Sequence, residues 1–275
     1  MRLIFFLLSF AFLTRTYPIN ISNESSGDLS VFIFYNPYEQ TLLHQGKFFS
    51  LLPPGSGEFP STRFVSIGET PFRREIISLD PSTSETLEKK YALLLSKILS
   101  ECSTYEEIFT LTAGFVRREV FSPPLSNEQN INDFLQDWIH ANARRRDAFT
   151  LTDQNQLWPV IPLEDFVKAK TGICRHLALV VGYFLDKLQG EESCRSILPR
   201  GKTYFLRNEV TLRPEISHHA WNLFLSDDRS IIWHIDSTVG IIKDVRKEGL
   251  AIARIYGPKA LEQEKQRLLR SNDES

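Results

Sequence analysis

One stretch constrains this chain more than any other: Thr171-Gly172-Ile173-Cys174-Arg175-His176-Leu177-Ala178-Leu179. It sets a cysteine directly after a glycine turn and in the first turn of a strongly apolar helix. Leu177, Val181, Phe184 and Leu188 recur at helical spacing on one face, and Gly190 supplies a stop. A thiol in that place meets unpaired backbone N–H groups and the positive end of the peptide dipoles, which favour its thiolate. The same N–H groups suit an oxyanion formed on a carbonyl. A buried cysteine opening a core helix would read the same way up to this point. The rest of the chain must decide.

The 275 residues suffice for one large domain, or a domain with a small appendage. With 42% hydrophobic and 24% charged residues the composition is that of a globular protein, and the twenty phenylalanines imply a packed core. A formal net charge of −2 argues against nucleic acid as a partner. Arg144-Arg145-Arg146 is the one basic cluster, and it falls where a last helical turn favours cations. Residues 1–18 read as a signal peptide: Met1-Arg2 precedes the apolar run Leu3–Leu13, which is too short to span a bilayer. Export to a periplasmic or extracellular space is the expectation, with no membrane attachment after the leader is removed. The three cysteines are Cys102, Cys174 and Cys194; an odd number in an exported chain allows a Cys102–Cys194 disulfide that leaves Cys174 free. Nothing fixes the oligomeric state.

Residues 19–80 read as a β-rich segment, with strands at Leu29–Tyr35, Lys47–Leu52 and Arg63–Ile67. It is either a small β-domain or an extension packed on the main one. Gly55 and Gly57 lack the third glycine and the lysine of a phosphate loop. From Pro81 the period becomes helical: Ser82–Glu85 has capping-box form, and Leu87, Tyr91, Leu94, Leu95 and Ile98 follow. Further helices are predicted over 104–119 and 127–145, the latter with Ile131, Phe134, Leu135 and Trp138 on one face. Thr150–Pro162 reads as irregular, and Pro162 opens a short helix leading to Gly172. The main domain is therefore expected over 81–262, helices first and strands last, with a helix end and tail at 263–275.

After the Cys helix come two strands, Ser217–Leu225 and Ile231–Asp236, joined by the polar link Ser226-Asp227-Asp228-Arg229. An antiparallel hairpin centred between Asp227 and Asp228 sets His219 opposite Asp236, with Cβ atoms about 5 Å apart. An imidazole held by a carboxylate and aimed at a helix-capping thiol is the generalised catalytic triad. His218 alternates to the other face, and His234 shares the face of His219. A Cys174/His176/His219 set lacks a recognised metal spacing, and no cofactor is called for.

Three linked motifs carry a resemblance. Gly172-Ile173-Cys174-Arg175-His176, the strand His219-Ala220-Trp221 and the strand end Asp236-Ser237-Thr238 are similar, in order and spacing, to the Cys, His-Ala-Trp and Asp-Pro-Thr motifs of the transglutaminase-like superfamily. The likeness covers about residues 130–240. Asn222 stands directly after His-Ala-Trp, where the family commonly has an acidic residue nearby, and Ser237 replaces its proline. The resemblance implies an α+β fold with a papain-like core, in which a Cys-bearing helix packs on an antiparallel sheet carrying His and Asp. It implies acyl transfer on amides, and it matches Trp138 to an upstream tryptophan that lines the site or assists the oxyanion. The expected function is a thiol enzyme acting on a protein or peptide substrate: Cys174 attacks, His219 serves as base and then acid, and Asp236 orients His219. Water as acceptor makes it a protease, amidase or deamidase, and an amine acceptor makes it a transglutaminase. The competing reading is a non-catalytic binding module that keeps the fold. Specificity is expected from the insertion at about 191–216.

Overall fold

The computed structural model describes residues 34–36, 41–44, 47–52, 56–59, 64–69, 74–121, 128–151, 157–209 and 218–256. The leader, most of the strand expected at Leu29–Tyr35 and the C-terminal tail lie outside these. The chain is mixed α+β, as expected, and is built on two sheets. The first holds seven strands in the order β1-β2-β3-β5-β6-β8-β7. Its members are β1 (Phe34–Asn36), β2 (Thr41–His44), β3 (Lys47–Leu52), β5 (Phe64–Glu69), β6 (Arg74–Leu79), β7 (Phe149–Leu151) and β8 (Leu157–Pro162). The second is wholly antiparallel in the order β12-β11-β10-β9-β4. It comprises β4 (Ser56–Glu58), β9 (Gly201–Glu209), β10 (His218–Ser226), β11 (Ile232–Asp236) and β12 (Ile241–Asp244).

Strand pairing crosses the boundary expected at residue 80 twice. β6 runs parallel to β8, and β4 pairs with β9 in the second sheet. Residues 157–162, predicted irregular because of Trp158-Pro159, form β8: Pro159, Val160 and Ile161 are all buried there. Proline is tolerated because Pro159 stands before the residues of β8 that pair with β6, which begin at Val160.

Helices α1 (Glu85–Glu101), α2 (Tyr105–Phe115), α3 (Glu128–Asn142), α4 (Leu163–Lys168) and α5 (Cys174–Gly190) follow the predicted periodicity closely. Leu87, Tyr91, Leu94 and Ile98 of α1 are buried, as are Leu177, Val181, Phe184 and Leu188 of α5. The capping box expected at Ser82–Glu85 does not form. Asp80 instead caps a short turn at Pro81–Thr83, and the first amides of α1, Thr86 N–H and Leu87 N–H, donate to the buried carboxylate of Glu164 at 2.8 and 3.1 Å. A carboxylate from α4 thus satisfies donors that the local sequence leaves open. A capping box does form at α2, between Thr104 and Glu107.

The second sheet is covered on both faces. Phe205, Ala220, Phe224 and Ile235 join the large core around α5. Leu206, Trp221, Leu223, Leu225 and Ile232 form a smaller core with Ile252 and Tyr256 of α6 (Val245–Tyr256). Alternation along the strands divides the residues between the faces, so His219 falls in register with Trp221 on the α6 side, as Asp236 does with Ile232. Residues 201–209, expected to lie in a specificity loop, are β9, paired with β10 along its whole length. No helix among the described residues is long and apolar enough to cross a membrane.

Candidate active site

Gly172 makes the entry to α5 possible. A Cβ there would lie 2.7 Å from the Phe121 ring and 3.1 Å from the His176 Cβ, so only hydrogen fits. The Ile173 N–H donates to His176 Nδ1 at 3.2 Å, which ties the helix start to its own third residue. With Nδ1 accepting, the proton of this buried imidazole sits on Nε2. Burial, and then the neighbouring charge of Arg175, hold the His176 pKa well below the ordinary histidine range, so the ring is neutral. Phe166 packs on it with ring centroids 4.1 Å apart. His176 is thus an element of the helix cap.

The hairpin differs from expectation by two residues. Leu223 pairs with His234 and Leu225 with Ile232, so Trp221, not His219, falls opposite Asp236. The cause is the turn. Arg229 N–H bonds to the Ser226 carbonyl at 2.8 Å, Arg229 takes φ 58°, and Ser226 N–H bonds to the Ile231 carbonyl at 3.0 Å. The loop is thus centred between Asp228 and Arg229, one residue later than expected, and Asp228 fastens it by accepting from the hydroxyl of Ser226 at 2.6 Å and from the amide and hydroxyl of Ser230. A shift of two keeps every side chain on its face. His219 therefore reaches Asp236 on the diagonal, and Nε2 meets Oδ2 at 2.5 Å.

Cys174, His219 and Asp236 form one hydrogen-bonded chain. His219 bonds to both partners; with Nε2 given to Asp236, Nδ1 is the nitrogen left for the thiol. His219 and Asp236 are buried and Cys174 is half-buried. β11 ends at Asp236, which leaves the start of β10 clear to meet α5, and the Ala220 N–H donates to the cysteine sulfur. The small side chain of Ala220 faces the α5 core, and Trp221 lies behind His219, stacked at 22° with centroids 6.0 Å apart.

The Asp236 carboxylate is fully engaged. Oδ1 accepts from the amides of Thr238 and Val239 at 2.9 and 3.3 Å. Oδ2 accepts from His219 and from the Tyr256 hydroxyl at 2.6 Å. Burial alone would raise this carboxyl pKa, but the bond and charge of His219, with Tyr256 and His234, hold it below the usual range. Burial opposes a charge on His219 as well; the bonds to Asp236 and Cys174 outweigh it and push its pKa up to about 10. At Cys174 burial works against ionisation first. His219, then Arg175 and the Ala220 N–H, reverse that and bring the thiol below its ordinary range. Each shift favours the charged form of its group, so the site leans toward a thiolate–imidazolium pair.

The other sequence candidates fall elsewhere. The Trp138 indole N–H donates to Asp165 Oδ2 at 2.9 Å, so the donor expected to assist an oxyanion is already committed. His234 is buried on the Asp236 side, between Trp221 and Tyr256. All three cysteines are free thiols, and the suggested Cys102–Cys194 disulfide is not formed. Among the described residues no three His, Cys, Asp or Glu side chains are grouped so as to hold a metal ion. Two participants were not legible. Tyr256 lies in a helix with no motif, and Arg175, buried and paired with Glu75 of β6, gains its partner from 100 residues away.

Compared with known proteins, the chain matches no family model, no curated protein and no solved structure.

Proposed function

We propose that the chain is a thiol-dependent acyl-transfer enzyme of transglutaminase-like type, with a papain-like core, that hydrolyses an amide or peptide bond through Cys174, His219 and Asp236. The continuous Cys174–His219–Asp236 hydrogen-bonded chain at the mouth of α5 carries this reading. The thiolate attacks the carbonyl carbon, a C–S bond forms, and the carbonyl electron pair moves onto oxygen. The Cys174 backbone N–H, among the orphan donors of the first turn, faces that developing charge. As the C–N bond breaks, the His219 imidazolium gives its proton to the leaving amine. Neutral His219 then takes a proton from water, the resulting hydroxide attacks the thioester, and Cys174 leaves as thiolate beside imidazolium. Asp236 stays ionised throughout and holds His219 with Nε2 protonated.

Iodoacetamide labelling at controlled pH, read on the Cys174 peptide by mass spectrometry, tests this reading. Cys174 is expected to react well below the pH at which Cys102 and Cys194 do, since burial first of all raises both of those thiols. His219→Ala should abolish that advantage. Equal, slow labelling of all three would overturn the proposal. A peptide library screened with the wild type, with and without an added amine, then separates hydrolysis from transamidation.

A further inference from the structure

Resting on the reading above, we propose that Tyr256 is a positioning residue of the site: its phenolic O–H fixes Asp236 Oδ2 so that the same oxygen faces His219 Nε2. The hydroxyl donates at 2.6 Å and the imidazole at 2.5 Å to one oxygen, while the two turn amides take the other. Two donors on each oxygen leave the carboxylate one orientation. The turn amides alone would still let Oδ2 swing, because they anchor only the Oδ1 side. Tyr256 is itself closely packed. It is 1% exposed, with ring centroids 4.5 Å from His234, 5.1 Å from Trp221 and 6.0 Å from His219. The ring seals the α6 side of the His219–Asp236 pair from water, and the hydroxyl supplies the polar partner that a buried carboxylate requires. One residue thus does two separable things.

Tyr256→Phe separates them, since it keeps the ring and removes only the donor. Without the hydroxyl, Asp236 takes up a proton more readily and turns more freely, so its hold on the imidazolium weakens and the Cys174 thiolate loses its partner. The midpoint of Cys174 alkylation by iodoacetamide should move up by about one pH unit, a tenfold slower reaction on the acid side. A purely structural ring leaves that midpoint where it was. In an Asp236→Asn background, Tyr256→Phe should add nothing, because both substitutions break the same bond. An unmoved or lowered midpoint in the single variant overturns the proposal while leaving the triad reading intact. If wild-type Cys174 shows no low-pH reactivity, both fall together. Should Tyr256→Phe not fold, NMR of the wild-type full chain decides the matter. A slowly exchanging Tyr256 hydroxyl proton with a cross-peak to the His219 Nε2 proton supports the proposal, and its absence overturns it.

Discussion

At Cys174 burial and charge pull in opposite directions, and the direction of the net effect sets how the site should respond to pH. The thiol is lowered and His219 is raised to about 10, so the ion pair exists between those two limits. On the proposed reaction, turnover should rise as Cys174 ionises, below the ordinary thiol range, and fall as His219 loses its proton near pH 10, when no acid remains for the leaving amine. Asp236→Asn tests the sign of both limbs. The amide removes the charge that supports the imidazolium, so His219 titrates lower and Cys174 higher, and the active window narrows from both sides. Cys174 alkylation at pH 6 should slow roughly tenfold, as it would for a thiol whose midpoint has risen by about one pH unit; a pH profile identical to wild type would contradict the coupling. The grouping of Cys174, His219 and Asp236 could be read from sequence because each sits in a short motif whose local structure is strongly determined: a helix start for Cys174, and strand parity for His219 and Asp236. Tyr256 could not, since its bond to Asp236 spans 20 residues and depends on how α6 folds back over the sheet.

The elements show how an incorrect register still gave the correct neighbours. The hairpin loop is centred between Asp228 and Arg229, one residue later than expected, because Asp228 gathers Ser226 and Ser230 around its carboxylate and Arg229 adopts a left-handed conformation. The hydrogen bond from the Ser226 hydroxyl is the first cause of the fall in its pKa to about 2, followed by the amide and hydroxyl of Ser230. Such side-chain closure is invisible to alternation, which reads only faces. Asp228→Ala is expected to loosen the loop, seen as faster amide exchange at Ser230 and Ile231, with the strand cores unaffected. The folded carboxyl titrates below its unfolded value, so its contribution is present above about pH 4 and is lost as pH falls through about 2. In α5 a second close contact decides the packing. A Cβ on Gly182 would lie 2.3 Å from the Phe59 ring, which reaches the helix from just beyond β4. Alanine in a helix interior ordinarily gains about 1 kcal/mol over glycine. Here overpacking should outweigh that, and Gly182→Ala should destabilise by about 1–2 kcal/mol in urea unfolding, against the helix-propensity expectation.

In the whole molecule, the β-rich segment before residue 80 behaves as part of the frame that holds the thiol. β6 lies between β5 and β8, and β4 extends the sheet that carries His219. Phe59 is buried against α5, and its N–H donates to the Thr203 carbonyl at 2.8 Å. A further tie is electrostatic: Glu75, fully buried, pairs with Arg175, the residue directly after Cys174. The β-strand propensity of this segment was legible, but its attachment was not, since β4 is three residues long and an ion pair between positions 75 and 175 leaves no local trace. Removing one partner strands a charge in the core, so Glu75→Gln should cost about 3–5 kcal/mol. It should also disturb the start of α5, where the charge of Arg175 favours ionisation of Cys174. A fragment covering 81–275 loses all of these ties at once. It is expected to lack the near-ultraviolet circular dichroism of fixed aromatic packing and the low-pH alkylation of Cys174. A fragment that folds and keeps that reactivity would show that the first sheet is an appendage. A full-length Glu75→Gln protein with unchanged stability and thiol profile would show that the buried pair contributes nothing to the site.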